Sequence, residues 1–348
     1  MYKRRLVFVA AALAAVVVAL AAVLAAATTA EARRSADQLV GAGSTFVTPL
    51  ISQWQNDYPS KTGVQIQYNP IGSGGGISAI TSRTVDFGAS DAPLTSDQFT
   101  ACRGCVQIPW ALSATAAIYN LSGVKNNLHL TGKVLADIYL GKITQWDDRA
   151  IKAINPGVNL PSTKITAVYR SDNSGTTYNW TDYLSAVSSE WKSKIGVGVN
   201  ANWPAGVGAK GSSGVAGVVA KTEGGICYAD VAFALKNHLQ FASVKNASGK
   251  YTTPGLRGIK AAAETVKKVP ANNEMHIVNP PKGNKLAYPI ATFTYAIVPT
   301  KTDKAPELRR FIFYALTQGQ KFGPKLLFQP IPAVVLFASE KTLKKVQS

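Results

Sequence analysis

Short apolar runs alternate with amphipathic stretches along most of the chain, an order that predicts strands and helices in turn and hence α/β layers. Leu39–Ala42, Val64–Tyr68 and Val85–Ala89 predict the first three strands, the second by its strict alternation. Val106–Trp110 and Thr115–Tyr119 predict two more, and Ile165–Tyr169 another that delivers Arg170 at its end. Ile226–Tyr228 and Pro289–Val298 complete the strand set. Thr45 stands as the cap of a predicted helix that carries Phe46, Leu50, Ile51 and Trp54 on one face and ends at Tyr58-Pro59. Further helices are predicted at Ile77–Thr81, at Lys133–Leu140, from Gly175 onward with Tyr178, Thr181, Tyr183 and Leu184, and at Ala305–Thr317. Residues 206–217 predict a glycine-rich loop and helix start, and Asn246–Pro254 a polar hairpin or loop.

The N-terminus changes the compartment. Lys3, Arg4 and Arg5 precede an uncharged run from Leu6 to Ala27, followed by Ala30-Glu31-Ala32, the pattern of a secretory signal with a small-residue cleavage site. Cleavage after Ala32 leaves 316 residues; left uncleaved, the run is long enough to stay in a bilayer as an anchor. No cysteine near the end of the run offers a lipid anchor. The expected location is therefore exported, in the periplasm, with secretion or membrane anchorage as the other outcomes.

Charge narrows the partners. The chain has 37 Lys+Arg against 19 Asp+Glu, and removing residues 1–32 lowers the formal net charge from +18 to +16. Such a field attracts anions without distinguishing nucleic acid, a membrane surface and a small oxyanion. The basic residues are scattered rather than set in a stripe with interleaved aromatics, which argues against nucleic acid. His129, His238 and His276 have no metal-ligand spacing, and neither G-x-S-x-G nor H-E-x-x-H occurs, so the sequence points away from a metal site and a hydrolase. Cys102-Arg103-Gly104-Cys105 reads as a loop disulfide or, alternatively, a redox-active pair, while Cys227 reads as a buried strand residue.

Three segments repeat one design, a strand end followed by Ser/Thr with Gly and then a helix: Gly43-Ser44-Thr45-Phe46, Gly72-Ser73-Gly74-Gly75-Gly76 and Ser174-Gly175-Thr176-Thr177. Helix-start N–H groups, the positive end of the peptide dipole and a nearby hydroxyl suit a tetrahedral oxyanion, although any one such loop could simply be a cap. Arg170 stands four residues before the third loop, with Asp172 placed to hold its guanidinium from the side. Asp91, in VDFGASDAPL, could be a turn residue, a catalytic base or the acceptor of a proton from a bound molecule.

The segments GAGSTF, GSGGG, VDFGASDAPL, DIYLGKITQWDD and RSDNSGTT, in this order, resemble the phosphate-binding component of the bacterial ABC-type phosphate importer. The likeness runs from Val40 to about Asp230, and YPIATFTYAIV fits a late strand of that family. It implies an α/β, two-lobed periplasmic binding protein fold of type II, with a mixed sheet in each lobe and the ligand between them. The implied division is a signal peptide over 1–32, one lobe from 33–115 and 288–348, and the other from 116–287. The implied phosphate contacts are Thr45, the backbone N–H of Phe46, Ser73, Asp91, Arg170, Ser174, Gly175 and Thr176. No cofactor or catalysis is implied, and the implied partners of this monomer are phosphate and a membrane permease; the alternatives are another oxyanion or phosphate ester, or a basic adhesion or nucleic-acid-binding role. Asp91 then makes chemical sense. An ionised carboxylate repels a buried anion unless the anion brings a proton, which phosphate and arsenate do and sulfate at neutral pH does not.

Overall fold

The computed structural model describes residues 38–124 and 126–348, so the predicted signal segment lies outside the described residues. A nine-stranded mixed sheet organises them. Its strands are β1 (Gln38–Gly43), β2 (Gln65–Asn69), β3 (Phe87–Ser90), β4 (Cys105–Tyr119), β6 (Thr166–Arg170), β7 (Val207–Ala209), β8 (Gly225–Asp230), β9 (Gln240–Phe241) and β12 (Ala291–Pro299). A separate small sheet joins β5 (His129–Leu130), β10 (Ser243–Lys245) and β11 (Tyr251–Thr252). The predicted polar hairpin is there, with Val244 opposite Thr252.

The main sheet runs β2-β1-β3-β12-β4-β8-β6-β7, with β9 paired to β4. Both ends are parallel, β2-β1-β3 and β8-β6-β7, and the antiparallel strands β12 and β4 join them. β4 changes partner along its length: Cys105–Ala114 pairs with β12 and Thr115–Tyr119 with β8. The expectation of two strands, Val106–Trp110 and Thr115–Tyr119, is corrected to one. Residues Ala111, Leu112, Ser113 and Ala114 between them continue the ladder because β12 backs them through Ala291 to Thr294.

The helices are α1 (Thr48–Thr62), α2 (Ser73–Thr81), α3 (Ser96–Ala101), α4 (Gly132–Tyr139), α5 (Arg149–Lys152), α6 (Gly175–Val187), α7 (Ser189–Lys194), α8 (Gly211–Ala220), α9 (Val231–Lys236), α10 (Leu256–Ala263), α11 (Ala305–Leu316) and α12 (Ala333–Leu343). Two boundaries differ from expectation for local reasons. α1 begins at Thr48 with Pro49 in its first turn, and Thr45 does not cap it. It also continues through Pro59 to Gly63, whose φ of 77° closes the helix with an N–H to the Pro59 carbonyl at 2.8 Å. Pro59 has no N–H to donate and its ring crowds the carbonyl four residues back, yet the helix runs on past it to the Gly63 closure. α2 takes the glycine run into its own first turn, where the chain passes close to other backbone: a Cβ on Gly76 would lie 2.4 Å from the Gly43 Cα.

Aromatic residues fill the layers under both parallel ends. Trp54, Trp110, Phe87 and Phe311 pack edge-on or tilted beneath the first, with centroids 5.1–6.3 Å apart. Trp180 stacks on Tyr228 at 5.2 Å beneath the second, with Tyr139 against both. These layers hold rigid strands whose ends present the polar loops. Cys102 and Cys105 are joined as a disulfide, and Cys227 is a buried free thiol in β8. Among the described residues, no helix is long and apolar enough to cross a membrane.

Candidate anion-binding site

The carboxyl ends of β1, β2, β3, β6 and β7 all face one point, the place where open α/β sheets take ligands. Each parallel end brings two helix starts, α1 and α2 from one and α6 and α8 from the other. The N–H groups of a first helical turn have no partner within the helix, so four such starts carry donors and partial positive charge toward that point.

The side chains between them close a ring of hydrogen bonds. Ser44 Oγ donates to Asp91 Oδ1 at 2.5 Å, and Thr176 Oγ1 donates to Asp91 Oδ2 at 3.4 Å. Arg170 Nη1 donates to Thr176 Oγ1 at 3.5 Å and to Ser212 Oγ at 3.4 Å. The Ser212 and Thr45 hydroxyls lie 2.9 Å apart, which returns the ring to the neighbour of Ser44. Ser73 adds a third hydroxyl at Asp91, accepting the Asp91 N–H at 3.2 Å and reaching Oδ2 at 3.5 Å. Ser174 Oγ caps α6 by accepting from the Thr177 N–H at 3.2 Å. The Phe46 N–H reaches Ser44 Oγ at 3.1 Å, and its ring is buried 6.1 Å from that of Phe328. Of the eight positions named from sequence, Thr45, Ser73, Asp91, Arg170 and Thr176 meet through their side chains, Phe46 bonds Ser44 beside them, Ser174 caps α6, and Gly175 lies against the Asp91 backbone and Ser73 Oγ.

Arg170 is 1% exposed, which an unpaired guanidinium would not tolerate. Its Nε and Nη2 grip Asp172 at 2.6 and 2.5 Å, and its own N–H is held by the Tyr228 hydroxyl at 3.0 Å. That fork leaves Nη1 free to turn inward. Burial works to raise Asp172, but the Arg170 hydrogen bonds and charge outweigh it and, with the Gly211 N–H at 3.0 Å, hold it below the usual carboxylate range.

Asp91 behaves in the opposite way. It is 1% exposed, and this burial pushes its carboxyl up to about 6 despite the opposing hydrogen bond from Ser44, the charge of Arg170 and the hydroxyls of Thr176 and Ser73. At neutral pH it remains mostly ionised and acceptor-only. Its position comes from a local turn, in which Ser90 Oγ accepts the Ala92 N–H at 3.1 Å and donates to the Ala92 carbonyl at 2.6 Å. A cavity of about 300 Å³ beside the ring is lined by Thr45, Thr48, Ile71, Asp172, Gly211 and the exposed Lys210.

Two members of the ring, Ser44 and Ser212, were not among the expected contacts. Ser212 belongs to Lys210-Gly211-Ser212-Ser213-Gly214, a fourth strand-hydroxyl-glycine-helix segment, so the signal that marked the other three was present there too. Gly175 marks how closely the two halves meet. A Cβ there would lie 2.6 Å from the Ala92 nitrogen and 2.7 Å from the Asp91 nitrogen, both rigid backbone. Gly175→Ala is expected to fold and to weaken anion binding roughly ten- to a hundredfold, the cost of overpacking a tight contact. Titration calorimetry checks this; undiminished affinity would mean the two sides need not approach so closely.

Two parallel strand sets joined by antiparallel crossing strands, with all loops aimed at one enclosed polar ring, define a solute-binding protein of the type II periplasmic fold. Residues 28–318 match the PBP superfamily domain. The chain is 41% identical over 308 residues to the phosphate-binding protein PstS of Xylella fastidiosa strain Temecula1, covering 87% of this chain and 84% of that one. It is 36% identical over 318 residues to that of Pasteurella multocida, covering 90% of each. Its fold matches that of a high affinity periplasmic phosphate-binding protein solved with phosphate, at a TM-score of 0.70 and 22% identity over 87% of this chain and 93% of that one. The chain belongs to the PBP superfamily and, within it, to the PstS family of phosphate-binding proteins.

Proposed function

We propose that this protein binds inorganic phosphate tightly in the ring and delivers it, as a monomer outside the cytoplasm, to the permease of an ABC importer. The observation that carries the reading is a buried Asp91 in one hydrogen-bonded ring with a buried Arg170. A site for a fully deprotonated anion would not tolerate that carboxylate, and a site for a cation would not contain that guanidinium. Thr45, the Phe46 N–H, Ser73, Asp91, Arg170, Ser174, Gly175 and Thr176 are the proposed contacts, joined by Ser44 and Ser212. Asp91 accepts the phosphate O–H, Arg170 Nη1 faces a charged oxygen, and the helix starts spread the remaining positive charge. Binding, rather than catalysis, is the proposed role.

The proposed lobes are 33–115 with 288–348, and 116–287. The change of β4 partner between Ala114 and Thr115 supports the first division, since the chain leaves one set of strands for the other there. Closure of these lobes over phosphate presents the loaded form to the permease. Calorimetric titration of the protein stripped of ligand is expected to give one phosphate per chain with a Kd below about 1 μM. Absence of heat at millimolar phosphate would overturn the reading.

A further inference from the structure

Helix α6 carries the Ser174–Thr176 turn, and one stripe along it faces the strands that hold Asp91. Gly175, Asn179 and Asp182 fall at i, i+4 and i+7, the spacing of one helical face. Asn179 is 2% exposed and works in both directions: its Nδ2 donates to the Asp91 carbonyl at 3.3 Å, and its Oδ1 accepts from the Thr292 hydroxyl of β12 at 3.1 Å. An amide is the side chain that can pair a carbonyl and a hydroxyl at once. Further along the stripe, Asp182 meets His276 Nε2.

His276 is anchored to the other side. Next to it, the Met275 N–H and carbonyl both bond the Tyr295 hydroxyl at 3.2 Å, and Asn273 Nδ2 donates to the Gln107 carbonyl and to Thr342 Oγ1 at 2.8 Å each. Gln107 and Tyr295 lie in β4 and β12, so His276, although inside the 116–287 span proposed for the other lobe, is tied to the strands of the first, while Asp182 moves with α6. Both contacts must break if α6 swings away from Asp91.

We infer that Asn179 with Thr292, and Asp182 with His276, form a clasp along α6 that holds the cleft closed, making them positioning residues that set how fast the bound anion leaves. The inference rests on the reading of the ring as a phosphate cleft that opens and closes. Recognition stays with the ring; the clasp sets lifetime. The charged groups facing His276 are Asp182 on α6 and Glu274 on its own segment, and the phenols of Tyr178 and Tyr295 are the other titratable groups there. The hydrogen bond to Asp182 raises the His276 imidazole above its ordinary value. The ion pair is therefore complete below that raised value and is lost as pH rises through it.

Stopped-flow release of phosphate from the full chain tests this, after the wild-type affinity is measured. His276→Gln and Asp182→Asn are each expected to speed release about two- to fivefold at pH 6, the range for a half-exposed ion pair, and together no more than either alone. The excess release rate of His276→Gln over wild type shrinks as pH rises through the raised His276 value. Thr292→Val, which keeps the side-chain shape, speeds release about fivefold on either side of that value, the effect of one buried hydrogen bond, and Asn179→Leu, which removes two, speeds it by more than that. Association rate and the preference for phosphate over sulfate stay as in wild type throughout. Should Asn179→Leu fail to fold, the exposed His276→Gln and the isosteric Thr292→Val decide the matter. A wild type that binds no phosphate overturns the reading of the ring and the clasp with it. A wild type that binds, with variants releasing at its rate or changed only in association, overturns the clasp alone.

Discussion

Arg170→Met is expected to weaken phosphate binding on the order of 10³-fold, because truncating one member of a buried charge pair costs about 3–5 kcal/mol. The methionine fills the space of the guanidinium but leaves Asp172 without the fork that holds it at 2.5–2.6 Å. It also leaves Asp91 without the one side-chain cation that lowers its carboxyl. An incoming anion then meets two carboxylates and only partial positive charge from the helix starts. Arg170→Lys separates charge from geometry. It keeps a cation yet cannot grip Asp172 through two nitrogens while turning a third toward Thr176 and Ser212, and it is expected to lose about tenfold. Calorimetry on both variants, with circular dichroism to confirm folding, checks this. Near-native affinity of Arg170→Met would show that helix starts alone neutralise the ligand.

Asp91→Asn is expected to act on choice rather than strength. At pH 8 the wild type should prefer phosphate over sulfate by about 10⁴-fold, the discrimination reached where a site is built to pair a hydroxyl that a rival lacks. The asparagine amide donates as readily as it accepts, so sulfate is no longer repelled and the gap should shrink to about tenfold. The pH dependence has a definite sign. Sulfate carries no proton across this range, whereas Asp91 takes one up as pH falls through about 6 and turns from acceptor to donor. Sulfate binding by the wild type should therefore strengthen below that pH, and Asp91→Asn should show no such rise. Competition titrations at pH 5 and pH 8 read both effects; an unchanged preference in Asp91→Asn would remove its assigned role.

What was readable in the sequence follows from how local each signal is. The strands of both parallel ends are visible in the sequence, except β7, because each is a short apolar run between glycine or polar breaks, as in Phe87–Ser90 and Thr166–Arg170; Val207–Ala209 sits inside a glycine-rich stretch that reads as a loop and becomes a strand only by pairing with β6. The RSDNSGTT segment was legible because Arg170, Asp172 and Ser174 meet within a few residues. In the sequence β4 reads as two strands because its continuity depends on β12, nearly 180 residues away. Thr45 looked like a cap because a hydroxyl before an apolar run normally is one; its actual partner, Ser212, lies 167 residues further on. Ser44 went unrecognised for the same reason, since its bond to Asp91 spans 47 residues. The clasp residues Asn179 and His276 had no sequence signal at all, because their partners are set by how α6 docks against β3, β4 and β12.

A crystal structure of the protein grown with phosphate tests the central claim most directly. It is expected to place the anion inside the ring, with one oxygen about 2.5–2.7 Å from an Asp91 carboxylate oxygen and another about 2.7–2.9 Å from Arg170 Nη1, the lengths of charge-assisted bonds. An anion seated elsewhere, or Asp91 turned away from every phosphate oxygen, would contradict the account.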